Sequence, residues 1–231
     1  MEIQKKYHIS IGSNIGNRIK NIQETIDLIH SRIASLLSIS SIYETESIGF
    51  EGDDFFNICA SFNSFKSPHF IMNEFLEIEK LLGRVRSKEK KYSSRIIDID
   101  ILLVDDMIIN SEELTIPHKE MCNRRFVLDP LIEIDPNIIH PVNKMSIKEI
   151  LNSLESKQKI QNKDIILQNP AHSVSINNYS YIAIEGNIGS GKTSLSKLIS
   201  SDFNTKLMLE RFIDNPFLAK FYKNPKDFAF K

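Results

Sequence analysis

The sequence predicts an α+β sandwich followed by the opening of a phosphate-binding-loop α/β unit, and three observations carry that reading. Strand-like and helix-like segments alternate irregularly over the first roughly 160 residues, an ordinary size for one domain with a single core. An Asp-x-Asp pair, Asp98 and Asp100, lies on a strand near the middle of the chain. A full Gly-x-x-x-x-Gly-Lys-Thr pattern, Gly186 to Thr193, follows an apolar run near the end.

From Tyr7 to Ser13 a short apolar strand around His8-Ile9-Ser10-Ile11 runs into the turn Gly12-Ser13-Asn14-Ile15-Gly16. Ile19, Ile22, Ile26, Ile29, Ile33 and the pair Leu36-Leu37 then recur at helical spacing. Ser38 to Thr45 predicts a second strand. After the turn-rich Gly49-Phe50-Glu51-Gly52-Asp53, a third strand places Phe56, Ile58, Ala60 and Phe62 on one face and Phe55, Asn57 and Cys59 on the other. Ser67-Pro68 supplies an N-cap and a proline at the first helical position, opening a helix through Phe70, Ile71, Phe75, Ile78 and Leu82 that stops at Gly83. The basic run Arg84 to Lys91 comes next, then a strand from Ile96 to Val104. Helical turns near Phe126 to Ile134 and Ser146 to Leu154 close the first domain, expected over residues 1–158. Residues 159–178, polar and containing Asn169-Pro170, read as a linker, and 179–231 as a fragment of a second domain.

Composition narrows the function. Lys and Arg (29) almost balance Asp and Glu (30), which argues against a bulk nucleic-acid footprint, so any phosphate site is local. The two cysteines are too few and scattered for a disulfide framework or a zinc cluster. A signal peptide is not visible at the N-terminus, and no apolar run of about 18 residues suggests a span. The expectation is a cytoplasmic protein of unassigned oligomeric state, with small-molecule partners and neither nucleic acid nor membrane.

Two carboxylates on one strand face repel each other unless a cation sits between them, and Mg²⁺ takes one or two carboxylates together with phosphate oxygens and water. Because side chains alternate along a strand, Asp98 and Asp100 project together while Ile97, Ile99 and Ile101 point the other way. Solvated strand-end acids are the alternative. Arg84, Arg86, Lys88, Lys90, Lys91 and Arg95 lie just upstream and carry enough positive charge to neutralise a polyphosphate, although such a run is also compatible with a solvated loop.

Gly12-Ser13-Asn14-Ile15-Gly16, Ser41-Ile42-Tyr43-Glu44-Thr45, Asp54-Phe55-Phe56-Asn57, Gly83-Arg84-Val85-Arg86, Arg95-Ile96-Ile97-Asp98-Ile99-Asp100 and Ile116-Pro117-His118 with Arg124-Arg125-Phe126-Val127-Leu128 occur in one order. Together they resemble the 6-hydroxymethyl-7,8-dihydropterin pyrophosphokinases, over about Tyr7 to Leu154. The resemblance implies a ferredoxin-like sandwich and transfer of pyrophosphate from the co-substrate ATP to the pterin hydroxymethyl oxygen, leaving AMP. It implies that Asp98 and Asp100 hold two Mg²⁺ ions and that Arg84, Arg86 and Arg95 assist catalysis at the triphosphate. Glu79, Arg84, Arg95, His118 and Arg124 would meet the nucleotide; for Glu79, ordinary charge on a helix surface is an equal alternative. Phe55 and Phe126 would stack on the pterin, Asn57 would meet its edge, and the backbone near Thr45 and Ile48 its remaining polar atoms. Core packing is the competing reading of Phe126. Two departures bear on closure of the basic loop over ATP: Tyr92 stands where the family commonly has Trp, and the loop between Gly83 and Arg95 is a residue longer than in a familiar bacterial form.

Tyr181-Ile182-Ala183-Ile184-Glu185 predicts an apolar strand entering the glycine-rich loop, with Leu195, Leu198 and Ile199 continuing as a helix. Gly186, Gly189 and Gly191 would let backbone amides cradle phosphates, Lys192 would reach the β and γ phosphates, and Thr193 would ligate Mg²⁺. With Leu209-Glu210-Arg211-Phe212 and Asp214-Asn215-Pro216-Phe217-Leu218, this stretch resembles the start of a deoxynucleoside kinase, Glu210 matching its general base. One βαβ unit takes about 30 residues or more, so the expectation for 179–231 is a truncated kinase fragment without activity; if the sequence belongs to a longer gene, the whole protein would be a fusion of both kinases. Deoxynucleoside kinase activity of a full-length fusion and a non-catalytic ATP-sensing module are the rival functions.

Overall fold

The computed structural model describes residues 3–47, 52–84, 93–156, 158–172, 181–187, 189–202, 205–209 and 223. The chain divides into two compact units, Met1–Ser173 and Val174–Lys231.

In the first unit, β1 (Lys5–Ser13), α1 (Arg18–Arg32), β2 (Leu36–Ile39), β3 (Ile42–Thr45), β4 (Phe55–Ser64), α2 (Pro68–Leu81) and β5 (Asp98–Val104) follow in order. A short hairpin of β6 (Ile109–Asn110) and β7 (Thr115–Ile116), then α3 (Arg125–Ile134), α4 (Ile147–Ser153) and β8 (Ile160–Lys163), complete it. The main sheet runs β5-β1-β4-β3-β8, with β2 also paired to β4, and every pairing is antiparallel.

Apolar residues at helical spacing turn one face of α1 (Ile22, Ile26, Ile29) and one face of α2 (Ile71, Phe75, Ile78) onto the sheet, where they meet Ile9, Ile11, Ile58, Phe62, Ile99 and Ile101. Tyr7 and Phe62 stack there with ring centroids 5.1 Å apart. On the other side a second core joins Cys59, Leu102 and Leu103 to Val127, Leu128 and Leu131 of α3 and Ile147 and Ile150 of α4. A register shift between His8 and Ile9 lets consecutive Leu102 and Leu103 both face this second core, which strict alternation forbids.

Local signals explain the boundaries. Ser67 caps α2 by accepting from the Phe70 amide, and Ser146 with Glu149 forms a reciprocal capping box on α4. Gly83, at φ +91, ends the α2 region in the left-handed conformation that glycine adopts without a Cβ clash.

Several expectations change. Leu36 and Leu37 belong to β2, not to the first helix; α1 stops at Arg32, because Leu36 is buried by pairing beside Phe62 of β4. The expected strand Ser38 to Thr45 is two strands broken at Ser40-Ser41, where the Ser40 hydroxyl accepts from the Cys59 amide. The expected linker 159–178 contains β8, which extends the sheet beside β3. In the second unit α5 (Lys192–Asp202) forms as expected, but 181–187 have no strand conformation. A strand requires a partner ladder, and among the described residues none pairs with this run.

Cys59 and Cys122 are both free, and among the described residues no helix is long and apolar enough to cross a membrane.

Candidate active site

Gly12, next to last in β1, stands in the middle of three strands, opposite Asn57 of β4 on one side and Asp98 of β5 on the other. Its lack of a side chain matters: a Cβ there would lie 3.0 Å from Asn57 Oδ1 and 3.7 Å from the Phe55 ring. Gly12→Ala is therefore expected to lower stability by about 1–3 kcal/mol through overpacking, a loss that urea unfolding measures.

Asp98 and Asp100 share the β5 face opposite Ile99 and Ile101, as strand parity requires. Asp98 Oδ1 accepts from Arg84 and Oδ2 from Arg95, so both guanidinium groups converge on this carboxylate. Arg84 also donates to Glu79 Oε1, which in turn accepts from the Ile99 amide at 3.0 Å. Glu79 is only 2% exposed, so its reading as helix-surface charge is incorrect. It pins α2 to the start of β5 and orients Arg84, because a buried carboxylate needs such donors.

Burial, and next the charge of Asp98, push the Asp100 carboxyl up to about 7, against pulls from Arg124 and Arg84. The folded state thus keeps a proton that the unfolded chain releases near its ordinary value of 3.8. Stability attributable to this group falls as pH rises from about 4 to 7 and is flat above that range. Thermal unfolding in chelator is expected to give this slope in the unaltered chain and to lose it in Asp100→Asn.

Asn14, 1% exposed, ties the first turn to the arginine loop. Its amide donates to the Asp53 carbonyl (3.0 Å) and Ser94 Oγ (3.1 Å), and its Oδ1 accepts from the Arg95 amide at 2.7 Å. Asn21 adds a bond to the Ile96 carbonyl at 3.2 Å. Neither residue stood out as functional in the sequence, although Asn14 lies inside the Gly-Ser-Asn turn; a side chain closing a loop about 80 residues away leaves no local periodicity.

On the neighbouring strands the Asn57 amide donates to Thr45 Oγ1 at 2.9 Å, and both residues are buried. Phe55 is half-buried on the same face. Phe126 stands in the first turn of α3, which packs on β4, and is half-buried against the second core. The Arg124 guanidinium lies 5.6 Å from its ring centroid. His118 Nδ1 accepts from the Glu120 amide at 3.3 Å, leaving Nε2–H to donate. Burial, then Arg124, holds its pKa below the usual histidine range, so the ring is neutral near pH 7.

Lys192 donates to the Asn187 carbonyl at 2.7 Å and to that of Gly186. Gly189 and Gly191 have φ of +82 and +83, a Cβ on Gly186 would lie 2.8 Å from Ser190 Oγ, and Thr193 is exposed in the first turn of α5. Ile48, Arg86, Tyr92 and Glu210 lie outside the described residues.

Residues 8–136 match the family model of 7,8-dihydro-6-hydroxymethylpterin-pyrophosphokinase. The chain belongs to that family. Residues 182–231 match the deoxynucleoside kinase model, so a pterin pyrophosphokinase domain is fused to deoxynucleoside kinase sequence. The chain is 35% identical over 144 residues to 2-amino-4-hydroxy-6-hydroxymethyldihydropteridine pyrophosphokinase of Aquifex aeolicus, covering 62% of this chain and 88% of that one. It is 39% identical over 141 residues to the folic acid synthesis protein fol1 of Pneumocystis carinii, covering 61% of this chain. This chain spans 19% of that protein and 22% of its Schizosaccharomyces pombe counterpart. Among solved structures, wild-type Plasmodium falciparum HPPK-DHPS with SDX-DHP aligns with a TM-score of 0.54 at 16% identity, covering 65% of this chain and 44% of that one. That likeness confirms a mixed α/β fold built on an antiparallel sheet.

Proposed function

We propose that the first unit transfers the β,γ-pyrophosphoryl group of ATP to the hydroxymethyl oxygen of 6-hydroxymethyl-7,8-dihydropterin, giving AMP and the pterin diphosphate for folate synthesis. The observation that carries this reading is the row Asp98, Gly12, Asn57 across three adjacent strands. Two strand spacings put a guanidinium-flanked carboxylate about 10 Å from an oriented amide edge, a separation suited to one substrate on each side of a reacting oxygen. The β-α-β-β-α-β order, with strands in the order β5-β1-β4-β3, supports a ferredoxin-like sandwich whose second strand is broken into β2 and β3.

The donor set fits Mg²⁺. Asp98 and Asp100 offer two carboxylates on one face, and among the described residues no group of three or more His, Cys, Asp and Glu gathers to hold an ion alone. Such a pair suits ions that bring phosphate oxygens and water as their other ligands, and two ions are the expected number. Bound there, Mg²⁺ supplies charge neutralisation at the phosphates and lowers the pKa of the attacking hydroxyl.

Arg84 and Arg95, which pair with Asp98, pass to the triphosphate oxygens and offset charge in the transition state. The neutral His118 donates from Nε2 to a phosphate oxygen, and Arg124 adds positive charge beside it. Phe55 and Phe126 sandwich the pterin ring, while the Asn57 amide, fixed by Thr45, reads its edge. Holding the hydroxyl in line with the β phosphorus does the rest, without a protein nucleophile. Arg86 and the backbone at Ile48 are assigned by the motif alone, Arg86 to the triphosphate and Ile48 to the pterin.

For the second unit, the deoxynucleoside kinase match supports a phosphate-binding loop in which Lys192 leaves the Gly186 and Asn187 carbonyls for a phosphate and Thr193 ligates Mg²⁺. Incubating the chain with ATP, Mg²⁺ and the pterin, and resolving AMP from ADP, tests the main reading. AMP is expected only when the pterin is present; pterin-independent hydrolysis contradicts it.

A further inference from the structure

Residues 158–172 lie beyond the stretch matched by the pyrophosphokinase family, 8–136, yet they complete its sheet. β8 pairs with the whole of β3, from Ile42 opposite Lys163 to Thr45 opposite Ile160. Ile165 and Leu167 then pack on the first core. The Gln168 amide donates to Gln23 Oε1 and Gln23 Nε2 donates back to the Gln168 carbonyl, both at 2.9 Å, and Asn169 reaches the Leu36 carbonyl at 3.2 Å. The segment straps β3, α1 and β2 together.

A run of charges leads inward from this strap. Lys163 Nζ lies 2.5 Å from Glu44 Oε2, and Glu44 Oε1 lies 3.0 Å from Arg18 Nη1. Arg18 Nη1 donates to the Asp54 carbonyl at 2.7 Å, and its guanidinium sits 3.6 Å above the Phe56 ring. Asp54 directly precedes Phe55. Without β8 the four-residue β3, which carries Thr45, would present its outer row of amides and carbonyls unpaired.

We infer that residues 158–172 form an integral strap of the pterin site, and that Lys163, acting through Glu44 and Arg18 on the backbone at Asp54, is a positioning residue for pterin binding. The inference rests on the pyrophosphokinase reading for its kinetic consequence but not for its structural one. Backbone pairing fixes Thr45, whose hydroxyl orients Asn57, while the charge run fixes the approach to Phe55. The contacts of the strap run to β3, α1 and β2, whereas Asp98, Asp100, Arg84 and Arg95 lie on and beside β5 at the far side of the sheet, so its effect falls on one substrate only.

The test uses the full chain as Lys163→Met, Lys163→Arg and Lys159→Met. Lys159 is the comparator because its pairing with Glu46, 3.7 Å away, is exposed. Losing the charge-assisted bond in Lys163→Met is expected to raise KM for the pterin about fivefold, leaving kcat and KM for MgATP unchanged. Lys163→Arg restores the value, and Lys159→Met matches the unaltered chain. An unchanged pterin KM in Lys163→Met, or an equal rise in both KM values, overturns the assignment.

Hydrogen exchange on the unaltered chain decides the strap should the variant fail to fold. Amides of 160–163 as protected as those of 42–45 support it, and exchange there at the rate of an unfolded peptide overturns it. If the unaltered chain forms no pterin-dependent AMP, the functional reading fails, while hydrogen exchange still decides whether the strap exists.

Discussion

Asp98→Ala is expected to reduce AMP formation about a thousandfold or more while the chain stays folded. Asp98 receives both Arg84 and Arg95 and would be the carboxylate facing the nucleotide's metal. Truncation removes that ligand and also releases Arg95 from its carboxylate and Arg84 from one of its two, leaving them to bind phosphate in unproductive geometry. ATP affinity is therefore expected to fall far less than turnover, since the arginines still attract the triphosphate. Asp98→Asn preserves shape and separates loss of charge from loss of packing. Steady-state rates alongside thermal unfolding make the comparison; a folded Asp98→Ala retaining a tenth of the activity would sink the metal-clamp reading.

The largest effect on stability is expected at Glu79. Its Oε1 accepts from the Ile99 amide and from Arg84 in a nearly inaccessible position. Glu79→Ala strands the buried Ile99 amide and removes one of the two carboxylates that pair with Arg84, the other being Asp98, at a cost of about 3–5 kcal/mol. Glu79→Gln still accepts from Ile99 but cannot neutralise Arg84, so it falls between. Urea unfolding of the three proteins checks the order. A Glu79→Ala chain as stable as its parent would mean that α2 and β5 are joined by apolar packing alone.

Much of this arrangement was legible in the sequence wherever a period or a cap expressed it. The alternation of β4 set Phe55 and Asn57 against Phe56, Ile58 and Ala60, and the register agrees. Ser67-Pro68 and Gly83 bracketed α2, and the Asp-x-Asp spacing placed both carboxylates on one face. What escaped was non-local. Leu36-Leu37 continue the helical spacing of α1, and only pairing with β4 makes them strand.

For Glu79 a place at the nucleotide and a plain helix-surface charge were equally compatible with the sequence, because the partners that bury it, Ile99 and Arg84, lie on other elements. Asn14 closes a loop whose other end is Arg95. Residues 160–163 are mostly polar and read as linker, yet their value to the fold lies in the backbone bonds they offer to β3, which composition does not reveal. The apolar run at 181–185 erred the other way: its residues suit a strand, but a strand forms only against a partner.

A single turnover of the full chain with pterin, Mg²⁺ and ATP carrying its radiolabel at the β phosphate tests pyrophosphoryl transfer most directly. The account predicts that the label leaves with the pterin and that unlabelled AMP remains. Label retained in ADP would mean that only the γ phosphoryl group moves, and would contradict the proposed reaction.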